Sequence, residues 1–419
     1  MTSDLNALFL SPLFDHVLLT KGLVFFAVFL LAVRFLPDFA RNLTLVLTSL
    51  ALIEIATSPF YTFGFVAISG LLYYGLFWLQ WSGRRKIYGY AIALGLIALY
   101  FLCLDLPQLR SPWTGQMVHK FGIAYSLYRL LSVTLEVANG RQLPSDPLEF
   151  FVYAFFVPTF SQGPIERLHD FRTNLTSETR PLLTWDETGS NLIRILCAMA
   201  KGWAATRFFE LDWTTYFDYP QHLSYAFLVW GMYARAIGFY LFVSAANDLT
   251  IGMSALAGYR IHENYDYPYF KRNLALFWRS WHMTLTRFAR DYIYIPLGGN
   301  RRHVSLNYLI VFLAIAMWHV TSPAFLIWGL WHGLGMCVLR LWQNFWKRVE
   351  AKSADGPSRS LQLWSRAHPK TVTVASTLLT FHFVALGWLP FWGGHPQGLS
   401  MILRILSGNH WRLFEWTAR

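Results

Sequence analysis

Apolar runs near the length that crosses a bilayer recur along almost the whole chain, and this excludes most folds. A spanning helix needs about 20 mostly apolar residues. Runs of this kind lie at about 22–36, 42–57, 60–80, 87–104, 116–138, 148–160, 190–209, 223–246, 304–319, 324–342 and 371–389. The stretch 148–160 is long enough only for a partial span, which membranes tolerate where it lines a protein-enclosed cavity. Only 14% of residues are charged, against roughly 25% in soluble domains. A large soluble α-protein is therefore set aside. The expected fold is an all-α polytopic membrane protein of about eleven helices, one for each run. It forms one multi-pass domain over 1–419, with no repeat or separate soluble domain.

The net charge of +12 does not indicate nucleic acid. The basic clusters Arg84-Arg85-Lys86, Lys271-Arg272, Arg301-Arg302 and Lys347-Arg348 are short and sit between apolar runs. Positive-inside bias and anionic membrane lipids account for them. Arg34 and Arg41 flank the first connection and Arg84-Arg85-Lys86 follow the third run; both are expected on the cytoplasmic side, with the N-terminus outside. No cleavable signal pattern precedes the run at 22–36, so it is expected to remain as a first helix. The three cysteines form no C-x-x-C pattern, so neither a disulfide framework nor a metal site is suggested.

The segment from Asn264 to Arg302 is the exception to the apolar pattern. It carries Arg279, His282, Arg287, Arg290, Asp291, Asn300, Arg301 and Arg302 among Trp and Tyr residues. Ionisable groups at membrane depth are costly and mark function by default. The spacing predicts a helix from Asn273, as N-cap, to Tyr292, bracketed by Pro268 and Pro296. Gly298-Gly299-Asn300-Arg301-Arg302 reads either as a cradle for a pyrophosphate or as a tight turn with basic anchors.

Three histidines are candidates for proton transfer. His319 stands almost alone as a polar group in NYLIVFLAIAMWHVTSPAFLIWGL, with Pro323 four residues on to break the helix. A neutral imidazole there can accept a hydroxyl proton at neutral pH. His282 is placed to orient substrate or to relay a proton. His332 lies 13 residues beyond His319, on a different face of an ideal helix, and is expected to be structural or donor-binding. No Walker motif, GxSxG elbow or HExxH is present, which argues against an ATPase, a serine hydrolase and a zincin.

FWRSWHMTLTRFARDYIYIPLGGNRR followed by MWHVTSPAFLIWGLWHG resembles the core signature of the membrane-bound O-acyltransferase (MBOAT) family. The likeness is to the bacterial branch of alginate O-acetylation and teichoic-acid D-alanyl-transfer proteins. PTFSQGPIERLHDF and NDLTIGMSALAGYRIHENYDYPYF extend it over about 150–340. The resemblance implies a helical bundle around a tunnel or funnel. It also places the histidine of the family's Trp-His-Gly motif at His319 and the upstream catalytic position at His282. Val320 stands where the family usually has Gly.

The implied activity is transfer of an acyl group, acetyl first, from a cytoplasmic thioester donor. That donor is acetyl-CoA or an acyl carrier protein. The acceptor is a hydroxyl of an envelope polysaccharide or of an intermediate carrier, with a periplasmic or extracellular acyltransferase as partner. Arg279, Arg287, Arg290 and Arg301, with Asp291, Asn300 and His332, are expected to bind the donor or to be structural. Neither a bound cofactor nor a metal is expected. The implied location is the bacterial inner membrane. D-alanyl transfer is the alternative within the class, and a non-catalytic transporter of acyl groups or glycan is the alternative outside it.

Overall fold

The computed structural model describes residues 35–56, 59–103, 119–160, 163–175, 184–209, 223–319, 323–352, 367–393 and 397–407, with isolated residues 28, 30, 31, 216 and 220. Among them there is no strand. There are 14 α-helices rather than eleven: α1 Asp38–Ala56, α2 Pro59–Leu79, α3 Arg85–Cys103, α4 His119–Ala138, α5 Pro147–Phe155, α6 Leu168–Phe171, α7 Trp185–Phe209, α8 Tyr225–Leu256, α9 Leu274–Ser280, α10 Met283–Ala289, α11 Val304–His319, α12 Pro323–Lys352, α13 Pro369–Gly393 and α14 Gln397–Ser407. The surplus comes from elements outside the eleven expected runs: the short α6, α9 and α10, and α14, of which Gly398–Ser407 is apolar. The expected first span at 22–36 lies largely outside the described residues.

Among the described residues five helices are long and apolar enough to cross a membrane: Pro59–Leu79, Arg85–Leu102, Tyr225–Leu256, Pro323–Val349 and Pro369–Phe391. Helix α2 shows what such a helix faces. Tyr61, Phe65, Ser69, Leu72 and Leu76 recur at helical spacing and are buried. On the opposite side Phe63 and Leu71 are each 77% exposed and Trp78 is 75% exposed. A helix apolar all round has no water-facing side, so the outer face is a lipid face.

The chain divides into two compact units, Ser3–Thr206 with Leu241–Glu263, and Arg207–Tyr240 with Asn264–Arg419. Helices α7 and α8 each run from one unit into the other.

In the first unit a core of Leu45, Ile53, Tyr73, Leu76, Val133, Phe150, Phe156, Phe171 and Tyr259 surrounds the short helix α5. Asp146 caps its start, the carboxylate accepting the Leu148 N–H at 2.8 Å. The other end stops inside the core, where its carbonyls have no water. Arg129 of α4, 1% exposed, reaches them: Nη1 donates to the carbonyls of Tyr153, Ala154 and Phe156 at 3.2–3.3 Å, and Nη2 donates to Thr159 Oγ1. Helix α8 runs ten residues beyond the expected end at 246. Asp248 is carried inside by ion pairs to Lys201 and, at 3.9 Å, to Arg194 of α7.

In the second unit α11 and α12 pack closely. A Cβ on Gly329 would lie 2.8 Å from the Phe312 carbonyl oxygen, and one on Gly333 would lie 3.0 Å from Leu309. This spacing of small residues lets two helices approach in apolar surroundings. Helix α12 outlasts its expected end at 342, and its last turns carry the exposed Lys347 and Arg348.

Arg129→Leu leaves the Ala154 carbonyl without its side-chain donor and leaves those of Tyr153 and Phe156 with only long bonds, from Phe156 N–H at 3.5 Å and Thr159 N–H at 3.3 Å. We expect a loss of about 2 kcal/mol, of the order of leaving a buried polar group without its partner. It should appear as a lower melting temperature in detergent. Unchanged melting would mean that the α5 terminus is satisfied in another way.

Candidate active site

The expected helix from 273 to 292 starts where predicted and then breaks. Asn273 Oδ1 accepts the Leu276 N–H at 2.9 Å, and α9 ends at Ser280. Trp281 is extended (φ −105°) and His282 takes the left-handed conformation (φ 44°, ψ 57°). A non-glycine residue there costs on the order of 1–3 kcal/mol and persists only when its surroundings fix it. Asn264 supplies the fixing. It is 0% exposed; its carbonyl accepts the Met283 N–H at 2.9 Å. Its Oδ1 accepts the Thr284 N–H at 3.1 Å and the Thr284 hydroxyl at 2.9 Å. The first amides of α10 are thus capped by a residue 20 positions upstream of Thr284. After α10 comes a π turn over Arg290–Tyr294, a distortion frequent at functional sites.

The break turns the His282 imidazole inward. The residue is 7% exposed, with the Tyr265 ring 6.1 Å away. Burial pushes its pKa down to about 3, so the ring is neutral at physiological pH. Trp281 beside it packs on Tyr265 at 5.2 Å and Trp388 at 5.2 Å.

His319 is the last residue of α11, and α12 begins at Pro323, as the proline predicts. The His319 ring lies 5.7 Å from Phe325, 5.7 Å from Trp328 and 5.3 Å from Phe391. Phe391 is 5.2 Å from Trp388, which closes a line of rings from Trp281 to His319. The two histidines, 37 positions apart in sequence, are linked by successive ring contacts through Tyr265, Trp281, Trp388 and Phe391. Unlike His282, His319 is only half-buried. A neutral imidazole inside an aromatic wall and an accessible one beside it form a pair suited to orienting and deprotonating a hydroxyl.

His332 is wholly buried. Its ring packs on Trp328 at 5.1 Å, so one indole touches both His319 and His332. The expectation from an ideal helix, that the two face apart, assumed a continuity that the break before Pro323 removes. Val320 lies outside the described residues.

The arginines take a different place. Arg279, Arg290, Arg301 and Arg302 are exposed, and Arg287 is half-buried. Arg290 donates to its neighbour Asp291 at 2.6 Å. Asn300 Oδ1 accepts the Tyr294 hydroxyl at 2.7 Å. The turn at Gly298–Arg302 uses its amides internally: Gly298, Gly299 and Arg301 N–H groups donate to Ile295, Tyr294 and Gly298 carbonyls at 2.9–3.0 Å. Asn307 Nδ2 holds the Gly299 and Arg302 carbonyls at 3.0 and 2.8 Å. Three of the five backbone amides of this turn are therefore spent within it, and the exposed Arg301 and Arg302 flank its end. No group of three or more His, Cys, Asp or Glu suited to a metal occurs among the described residues.

The profile of the MBOAT, membrane-bound O-acyltransferase family, matches residues 50–355, which contain this whole site except Trp388 and Phe391. The chain belongs to that family. It is 26% identical over 305 residues to the probable alginate O-acetylase AlgI of Pseudomonas fluorescens, covering 70% of this chain and 55% of that protein. It is 28% identical over 327 residues to the peptidoglycan O-acetyltransferase of Helicobacter pylori, covering 73% and 57%. It is 27% identical over 309 residues to the teichoic acid D-alanyltransferase of Bacillus subtilis, covering 69% and 72%. The chain spans about half the length of the alginate O-acetylases it matches.

Between pH 6.5 and about 3 the unfolded chain protonates the residue 282 imidazole and the folded chain does not. Stability from this group is thus fully present above pH 6.5 and falls as pH drops toward 3. His282→Gln should flatten part of that acid loss of melting temperature. An unaltered acid slope would mean that His282 is not held neutral by burial.

Proposed function

We propose that this chain is a membrane O-acyltransferase of the bacterial cytoplasmic membrane. It moves an acyl group, acetyl in the first instance, from a cytoplasmic thioester donor to a hydroxyl of an envelope polysaccharide or of an intermediate carrier. The observation that carries the proposal is that His319 and His282, both inside the segment matched to the family, are joined by one wall of aromatic rings. His319, the more accessible, is the base that takes the hydroxyl proton. His282, held neutral and fixed by its backbone, orients the reacting groups. Acetyl-CoA or an acyl carrier protein serves as donor substrate. The exposed Arg279, Arg290, Arg301 and Arg302 suit the donor's phosphates or a carrier's acidic face, and anionic lipids would compete for them. A periplasmic or extracellular acyltransferase would complete the route to the polymer.

One observation favours D-alanyl transfer as a second reading. The Bacillus subtilis D-alanyltransferase is matched over 72% of its length, more than the 55% for an alginate O-acetylase. Purified chain in detergent, given labelled acetyl-CoA or a D-alanyl-loaded carrier protein with envelope polymer, separates the two by which label moves. Label that crosses only a sealed vesicle, with no covalent transfer, would make the chain a transporter.

His319→Ala should abolish transfer while melting temperature stays near wild type. General base catalysis is worth at least about 10²-fold, so more than about a tenth of wild-type turnover would remove His319 from that role.

Charge reversal at Arg301 and Arg302 should raise donor KM more than it lowers kcat. A charge contact made equally in ground state and transition state acts on KM alone. Unchanged donor KM with poor membrane insertion would make the turn a lipid anchor.

A further inference from the structure

Buried polar atoms without hydrogen-bond partners are few in native folds, and each needs an explanation. Among the described residues, four such nitrogens fall on three rings of the second unit: Trp278 Nε1, Trp328 Nε1, and both Nδ1 and Nε2 of His332. The three rings pack on one another, with centroids 5.0 Å apart for Trp278 and His332, 5.1 Å for Trp328 and His332, and 5.8 Å for the two indoles. Exposure is 6% for Trp278, 1% for Trp328 and 0% for His332. The indoles next to them behave differently. Trp331 Nε1 donates to the Phe383 carbonyl at 3.0 Å, and Trp388 Nε1 donates to the Tyr269 hydroxyl at 3.2 Å. The fold satisfies indoles on either side and leaves these two.

The chemistry of the cluster is one-sided. An indole only donates, and a neutral imidazole offers one N–H and one lone pair. Three donors thus stand against a single acceptor, in apolar surroundings where a hydrogen bond to developing charge is strong. Helix α13 passes close to His332 because residue 387 is glycine: a Cβ there would lie 2.9 Å from Nε2 and 2.8 Å from Trp331 Cδ1. Trp328 also touches the His319 ring at 5.7 Å.

We infer that Trp278, Trp328 and His332 form a hydrogen-bonding site for the carbonyl oxygen of the acyl group under transfer. The inference rests on the acyltransfer reading above and names the part of the site that receives the oxyanion. The acceptor hydroxyl oxygen bonds to the thioester carbonyl carbon while His319 takes the hydroxyl proton. The π pair moves onto the carbonyl oxygen, where the N–H groups hold it. The pair then returns, the carbon–sulfur bond breaks, and the departing sulfur takes the proton from His319. Charge and atoms balance with no further reactant.

Trp278→Phe, Trp328→Phe and His332→Phe each remove nitrogen and keep a ring. Each should lower kcat by about 10²-fold, the size of losing one oxyanion donor, with donor KM within about threefold. The melting temperature of His332→Phe should not fall, because an unpaired buried imidazole does not stabilise the resting fold. A readout free of turnover is the extra stabilisation of the full chain by acetyl-CoA over CoA, or by a D-alanyl-loaded over an unloaded carrier protein. That extra shift should be present in wild type and absent in the variants. Gly387→Ala, which puts a methyl group beside Nε2 from another helix, should also remove it and covers the case in which a ring variant fails to fold. If the acyl-specific shift and kcat persist in the variants, the nitrogens bind water or nothing and the inference is overturned, while acyl transfer by His319 stands. If wild type neither transfers nor distinguishes loaded from unloaded donor, both the acyltransfer reading and this site fall.

Discussion

A helix that stops inside apolar surroundings leaves amides and carbonyls with no water to bind, and the placement of the candidate site depends on how this chain meets that constraint. It uses single buried polar side chains from other segments. Arg129 takes the carbonyls at the end of α5. Asn174 donates to the carbonyls of Phe171 and Arg260 and accepts the Arg260 N–H, at 2.9–3.1 Å. Asn307 closes the Gly298–Arg302 turn. Asn264 takes the first amides of α10. Only the last of these also sets a candidate catalytic residue, because the backbone it fixes is that of His282.

Consider the α9–α10 region without that cap. The sequence from Leu274 to Tyr292 has no proline or glycine, so a continuous helix is its cheapest local state. A continuous helix would turn residue 282 by 3.6-residue periodicity alone. The left-handed residue changes the direction of the chain and puts Trp281 and His282 on the buried side together. The strain of φ 44° is offset by three hydrogen bonds to one asparagine, and the aromatic contacts of Trp281 hold the result in place. Local strain thus positions a side chain that neither propensity nor periodicity would place there.

This explains what was legible in the sequence. Helix positions were, because about twenty apolar residues in a row admit little else in a membrane. Starts marked by a side chain or a proline were also legible, as at Asn273 and Pro323. The ends of α8 and α12 were not. Asp248 reads as a stop signal until its partners on α7 are known, and the basic tail of α12 reads as a loop until the helix is seen to carry it outward. His319 and His282 stood out as titratable groups in unusual company. Asn264 did not, because its role lies in bonds across about twenty residues of sequence. Trp328, Trp388 and Phe391 carry no sequence signal that separates them from the chain's many other rings, and they form the wall between the histidines.

The same constraint separates the arginines from the histidines. Arg129 enters apolar surroundings with carbonyl and hydroxyl acceptors for both of its Nη atoms. The arginines of the 279–302 segment have no such set among the described residues: Arg290 meets one carboxylate and Arg301 and Arg302 stay exposed. Neutral groups fill the interior of that segment instead, with His282 held uncharged by burial. The positive charge of this segment therefore sits outside, and its neutral titratable group sits inside. A substrate whose phosphates remain at the surface while a short thioester reaches inward matches that division. A polymer chain carrying charge at every sugar does not, and it would have to approach the histidines by an end or through a carrier.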